Sequence, residues 1–193
     1  GAVGVVYEAK NVELDEIVAI KCLRPEMAVD STMVGRFARE AKAATAIKSE
    51  YVATVYDVGT TPDGMPFMVM EYLDGKDLGS IVEEAGPVGA RTAVEYALQV
   101  CEALAVAHSK GIVHRDIKPE NIFLARRIGC PPIVKILDFG VSKMIAHFPG
   151  AEENLDLTRT GMVMGTPYYM SPEQARGERN LDGRVDVYAC GVM

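Results

Sequence analysis

The pattern of apolar and polar positions divides the chain near residue 73. Before that point it predicts mostly strands around one helix. Val3 to Ala9 and Ile17 to Leu23 are β-rich runs joined by a turn near Asn11 to Glu16. Asp30-Ser31 is an N-cap signal for a helix running to about Lys48. Along it Phe37, Ala41, Ala44 and Ile47 form an apolar stripe at i, i+4, i+7 and i+10. Glu40 lies beside that stripe, and a carboxylate turned toward a core needs a cationic partner. Two further strands are predicted around Val52 to Val58 and Phe67 to Glu71, separated by the turn signal Thr60-Thr61-Pro62-Asp63-Gly64.

Glu71 to Lys76, which contains Asp74-Gly75, reads as a linker, and the pattern from about residue 77 is mainly helical. Gly89 to Lys110 predicts a helix with Val94, Ala97, Leu98, Cys101, Leu104 and Ala105 on one face, ended by Gly111. Asn121 to Leu124 and Ile133 to Leu137 predict a short strand pair flanking Gly129-Cys130-Pro131-Pro132. Residues 141–170 lack clear periodicity, and a loop that long inside a compact domain is usually functional or mobile.

The candidate chemistry concentrates in His114-Arg115-Asp116-Ile117-Lys118-Pro119-Glu120-Asn121. Asp116, Lys118 and Asn121 place a carboxylate, an ammonium and an amide at i, i+2 and i+5 of one tight loop. Asp138-Phe139-Gly140 follows the apolar pair Ile136-Leu137. A base, a phosphate-binding cation and two oxygen donors suited to hard Mg²⁺ ions make a set for phosphoryl transfer. Any one of them alone reads as a surface polar residue, but four at these offsets do not. Lys21 in Val18-Ala19-Ile20-Lys21 would alone be a solvent-facing lysine of an edge strand. With Glu40 on the following helix it gains a partner, and its ammonium becomes available to phosphates. Shifting that helix would break the pair, which suggests a switch. Gly1 and Gly4, in Gly1-x-x-Gly4-x-Val6, suit a loop whose amides approach phosphate oxygens, although two glycines near a strand are more often a turn or bulge.

Composition narrows the classes. The 193 residues are 49% hydrophobic and 24% charged, as in ordinary globular proteins. A net charge of −7 without a basic run argues against nucleic acid as a partner. Cys22, Cys101, Cys130 and Cys190 form no CxxC pair, which fits a reducing cytosol better than zinc or a disulfide framework.

In order and spacing these motifs resemble those of protein kinases, over essentially the whole chain. Lys118 two residues after the base, together with Thr166, is similar to serine/threonine kinases rather than tyrosine kinases. Arg36-Phe37-Ala38-Arg39-Glu40-Ala41 and Ser171-Pro172-Glu173-Gln174-Ala175-Arg176-Gly177 resemble the bacterial eukaryotic-like (Hanks-type) branch. Ser171-Pro172-Glu173 stands where the family often has Ala-Pro-Glu.

The resemblance implies an α+β, bilobal fold with a small β-rich N-lobe holding one helix and a mainly α-helical C-lobe. Residues 1–73 would be the N-lobe and hinge without the first strand, and residues 74–193 a C-lobe without its later helices. Cut this way at both ends, the chain is expected to be poorly stable alone. ATP and Mg²⁺ are the implied cofactors. Asp116 would be the base and Lys118 the γ-phosphate cation, with Asn121 and Asp138 as metal ligands. Lys21 would meet the α- and β-phosphates under the control of Glu40, and Gly1 and Gly4 would cover the phosphates. Met70 would be the gatekeeper, with the backbones of Glu71 and Leu73 on the adenine. Val6, Ala19 and Phe123 would sandwich the ring, and Asp77 would reach the ribose. His114 and Phe139 would hold the two loops in register, and Asp186 would bond the backbone of the catalytic loop. Arg115 beside the base calls for an anion, which phosphorylated Thr158 or Thr160 would supply.

The implied partners are ATP and protein substrates, with self-association for autophosphorylation. The implied location is the cytoplasm, with a membrane anchor outside these residues left open. A pseudokinase scaffold is the alternative, and it predicts loss of Lys21, Asp116, Asn121 or Asp138, all of which are present. A small-molecule phosphotransferase of similar fold is disfavoured by the segment Gly165 to Glu173, which docks a peptide in the family.

Overall fold

The computed structural model describes residues 4–139, 167–178 and 180–193. Strand β1 (Gly4–Asn11) and strand β2 (Glu16–Leu23) form an antiparallel hairpin. The Asn11 side chain builds its turn by accepting from the amides of Glu13 and Leu14 at 3.0 and 3.2 Å. A four-residue helix, α1 (Pro25–Ala28), leads into α2 (Ser31–Ala46). Asp30 caps α2 by accepting the Thr32 amide at 2.8 Å, as the sequence predicts. Strands β3 (Val55–Thr60) and β4 (Pro66–Glu71) complete a four-stranded antiparallel sheet in the order β1-β2-β4-β3. Leu23, Val55 and Met68 of that sheet bury against Phe37 and Ala41 of α2.

The predicted strand Val52 to Val58 begins three residues late, because Val52 and Ala53 serve the other half of the molecule. Val52 bridges Ile136, and the Ala53 amide donates to the Ile136 carbonyl at 3.1 Å. Ile47, the last residue of the predicted stripe, is likewise buried in the second core. One end of α2 is thereby anchored outside its own sheet.

The linker is shorter than predicted. Gly75 already opens β5 (Gly75–Asp77), which pairs with β6 (Ile122–Arg127), and β6 pairs with β7 (Cys130–Ile136). Both β6 and β7 run further toward their turn than predicted, and β7 includes Pro131 and Pro132. Prolines are tolerated there because β7 is an edge strand and needs no outward amide donor. Helices α3 (Leu78–Ala85), α4 (Ala90–Ser109), α5 (Pro172–Ala175) and α6 (Arg184–Val192) and the 3₁₀ turns Pro119–Asn121 and Pro167–Tyr169 complete the elements of the described residues.

The face of α4 is a correction. Val100, Ala103, Leu104 and Ala107 are buried, at i, i+3, i+4 and i+7, whereas Val94, Leu98, Cys101 and Ala105 are exposed. Of the predicted face only Leu104 is buried. The second core joins α4 to Ile117, Ile122, Val134, Ile136 and Phe139.

Candidate active site

Lys21 sits in β2 opposite Val6 on one side and Met68 on the other. Its ammonium meets Glu40 of α2 at 2.7 Å and Asp138, just past β7, at 2.5 Å. Three distant segments thus converge on one cation. Burial alone pushes the Lys21 ammonium down, but Asp138 and Glu40 together outweigh it and hold its pKa above the usual lysine value. Glu40 is pushed up, first by burial and then by Asp138, with the Lys21 charge opposing both.

The loop carrying Asp116 is fixed from several sides. Asp186, 1% exposed in the first turn of α6, accepts the amides of His114 at 2.9 Å and Arg115 at 2.7 Å. The carboxylate at the start of α6 is therefore a clamp on the loop that carries Asp116, the contact that the resemblance implies. Its third contact is His108 Nε2 at 2.8 Å, from the last turn of α4. His114 is wholly buried, packs on the Phe139 ring with centroids 4.9 Å apart, and places Nε2 3.0 Å from the Leu137 carbonyl. Arg115 and Asp138 both adopt positive φ, 65° and 49°. Non-glycine residues rarely do so without constraint from their surroundings.

Asn121 closes a 3₁₀ turn, Pro119–Asn121, whose geometry is set by its own amide donating to the Lys118 carbonyl at 2.9 Å. The Asn121 Nδ2 donates to the Asp116 carbonyl at 2.7 Å. That bond fixes the amide plane and turns Oδ1, a hard oxygen donor, the other way. The Asn121 carbonyl takes the Leu137 amide at 2.9 Å, which ties this turn to the Asp138 segment. Two hard oxygen donors, on Asn121 and Asp138, fit magnesium, which uses few protein ligands and completes its shell with water and phosphate. Among the described residues no cluster of three or more acidic, histidine or cysteine side chains offers a different metal cage.

A cavity of about 210 Å³ opens between the sheets. Val6, Ala19, Met70 and Glu71 line it from the first sheet, Phe123 from the second, and Leu73 from the linker. Lys21, Glu40 and Asp138 stand at its polar side. Asp77 does not line it. Its carboxylate caps α3, accepting the Ser80 amide at 2.8 Å and the Ser80 hydroxyl at 2.6 Å. Gly4 is buried in β1, and Lys118 stands half-buried ahead of the 3₁₀ turn. Gly1, Thr158, Thr160 and Thr166 lie outside the described residues.

Three contacts escaped the sequence reading. His108 has no local signature as a partner of Asp186, and it depends on Gly183. An ideal Cβ on Gly183 would lie 2.5 Å from His108 Nδ1, so glycine lets the start of α6 approach α4 this closely. Gln174 Nε2 donates to the Arg115 carbonyl at 3.0 Å. Ser171, wholly buried, forms a reciprocal capping box with Gln174. The Ser-x-x-Gln spacing does signal such a box and could have identified it.

Comparison with known proteins agrees with this geometry. The protein kinase domain family matches residues 1–193. Serine/threonine-protein kinase Pkn1 of Myxococcus xanthus is 42% identical over 193 residues, covering all of this chain and 26% of that protein. Serine/threonine-protein kinase pkn3 of the same organism is 44% identical, with 35% of its length covered. PknB of Mycobacterium tuberculosis is 41% identical over 196 residues, with 30% covered. The chain thus spans about a third or less of these relatives. The crystal structure of the Mycobacterium tuberculosis PknI kinase domain superposes with a TM-score of 0.72 at 28% identity, over 98% of this chain and 66% of that one. Its two sheets, the cleft between them and the loop clamped by Asp186 are those of a bilobal kinase, and the chain belongs to the protein kinase domain family.

Proposed function

We propose that this chain transfers the γ-phosphoryl group of ATP to serine and threonine hydroxyls of proteins. The observation that carries the reading is the convergence of Lys21, Glu40 and Asp138 beside a loop in which Asn121 is bonded to Asp116. Val6, Ala19 and Phe123 enclose the adenine, with the backbones of Glu71 and Leu73 along its edge and Met70 as gatekeeper. Lys21 orients the α- and β-phosphates. Asp116 accepts the hydroxyl proton of the substrate, and Lys118 balances charge on the moving phosphoryl group. Asn121 and Asp138 would hold magnesium, which neutralises phosphate charge when bound. Residues 1–73 act as the N-lobe and hinge and residues 74–193 as part of the C-lobe, working in the cytoplasm on protein substrates.

Activation by phosphorylation of Thr158 or Thr160, through self-association, is the accompanying proposal. Arg115 supports it. Its Nε is buried without a hydrogen-bond partner among the described residues, and burial lowers the pKa of the guanidinium, with Asp186 opposing. A phosphate would satisfy both the donor and the charge.

The test is to incubate the full-length protein with labelled ATP and Mg²⁺ and map the phosphate by mass spectrometry. Asp116→Asn should slow the chemical step by roughly 10²–10⁴-fold, the range for losing a positioned base. Near-wild-type turnover in that variant would remove Asp116 from the role.

A further inference from the structure

The linker between the two sheets is tied to the second sheet at both of its ends. Glu71, the last residue of β4, meets Lys135 of β7 with its two carboxylate oxygens 2.8 and 3.0 Å from Nζ. The same carboxylate accepts the Thr54 amide at 2.6 Å, and the Glu71 amide returns to the Thr54 carbonyl at 2.9 Å. Three residues further on, Asp74 meets Arg126 of β6 at 2.8 Å. The two ion pairs are not equivalent. Asp74 and Arg126 are 63% and 69% exposed, and pairs of that kind contribute little. Glu71 and Lys135 are only 18% and 13% exposed, so solvent screens them far less.

Tyr72 and Leu73 lie between the two ties, and both line the cleft. Beside Lys135, Ile136 donates its amide to the Tyr51 carbonyl at 2.8 Å and accepts the Ala53 amide at 3.1 Å. A single ammonium on β7 therefore fixes the end of β4, the segment between α2 and β3, and the linker that frames the cleft. Stability alone does not account for a charge here. The desolvation of a nearly buried pair roughly cancels its attraction, and two apolar side chains of similar volume in place of the pair would pack as well. What an apolar stem cannot do is hold the Glu71 carboxylate in one orientation.

We propose that Lys135 is a positioning residue. Its ion pair with Glu71 latches the linker so that the nucleotide lies in register with Lys21 and Asp138. This rests on the reading of the cleft as an ATP site, but the latch itself can be observed without turnover.

The experiment uses the full-length protein with Lys135→Met and Lys135→Arg. Backbone amide exchange within 51–54 and 70–74 should accelerate by about tenfold or more in Lys135→Met, the response to losing ~1.4 kcal/mol of local protection. The KM for ATP should rise by about three- to tenfold with kcat within about twofold, the signature of lost ground-state binding. Lys135→Arg should restore both. Unchanged exchange would overturn the latch. Faster exchange with unchanged KM would make the pair structural only, and a higher kcat would make it a restraint on turnover; either result overturns the positioning role. If calorimetry finds no ATP binding by the unmodified protein, the ATP reading fails and takes the positioning role with it, whereas the exchange data still decide whether the latch exists.

Discussion

Asp186 and Glu40 are both carboxylates turned inward, yet they are held differently. Asp186 accepts from two backbone amides of one loop and from the His108 ring. Its partners His114 and Arg115 donate from the backbone, so releasing them takes movement of the loop or rotation of the buried Asp186 side chain itself. Glu40 is paired with the Lys21 ammonium at the end of a flexible stem, and Asp138 competes for the same ammonium. Rotating that stem or shifting α2 would exchange one carboxylate for the other. The C-lobe network therefore behaves as a frame and the network across the cleft as an adjustable element. The difference lies in donor type, backbone amide against flexible ammonium, more than in charge.

If Asp186 is a frame, its removal should damage stability as well as activity. Asp186→Ala strands two largely buried amides, each worth roughly 1–3 kcal/mol when left unsatisfied, so the kinase domain should lose roughly 2–6 kcal/mol. Urea unfolding of the wild type and the variant measures this directly, and an unchanged midpoint would deny Asp186 the framing role. Lys21→Met should separate the two properties. Phosphoryl transfer should fall by roughly 10²–10³-fold, as for loss of a positioned electrostatic donor. Stability should fall by less than the roughly 3–5 kcal/mol that an uncompensated buried charge costs, because Asp138 is 46% exposed and Glu40 need not stay charged. Glu40, already biased toward protonation by burial, can then take up a proton. A loss of stability matching that of Asp186→Ala would erase the distinction.

The same contrast explains what could be read from the sequence. The pairing of Lys21 with Glu40 and the nearness of Asn121 to Asp116 were legible because the motifs they resemble keep particular residue types in a fixed order. The Asp30 cap of α2 and the glycine end of α4 were legible because each is a local signal. The face of α4 was not. The helix is apolar on two sides, and the pattern favoured the larger Val94 and Leu98 over Ala103 and Ala107, whose small side chains permit close packing. His108 and Gly183 were hidden for another reason. They meet across two helices far apart in sequence, and nothing near either residue encodes that approach. The extension of β7 through Pro131 and Pro132 required knowing that it is an edge strand, which is a property of the assembled sheet.

The smallest effect concerns pH and returns to the frame. Burial pushes the His114 imidazole below the ordinary histidine value of 6.5, against the pull of Asp186, the Leu137 carbonyl, Asp116 and Asp138. Folded His114 therefore stays neutral where an unfolded histidine is already protonated. As pH falls through 6.5 the unfolded state binds more protons, so stability present at higher pH is lost progressively toward the depressed folded pKa. A single proton limits this slope to about 1.4 kcal/mol per pH unit. His114→Phe keeps an aromatic ring against Phe139 and removes the titration. It loses the contact with the Leu137 carbonyl, a largely pH-independent cost. Unfolding free energies measured between pH 7.5 and 5.5 should therefore fall less steeply for the variant than for the wild type. Parallel slopes would mean that Asp186 and its neighbours balance burial, so that His114 binds its proton as readily in the folded frame as in the unfolded chain.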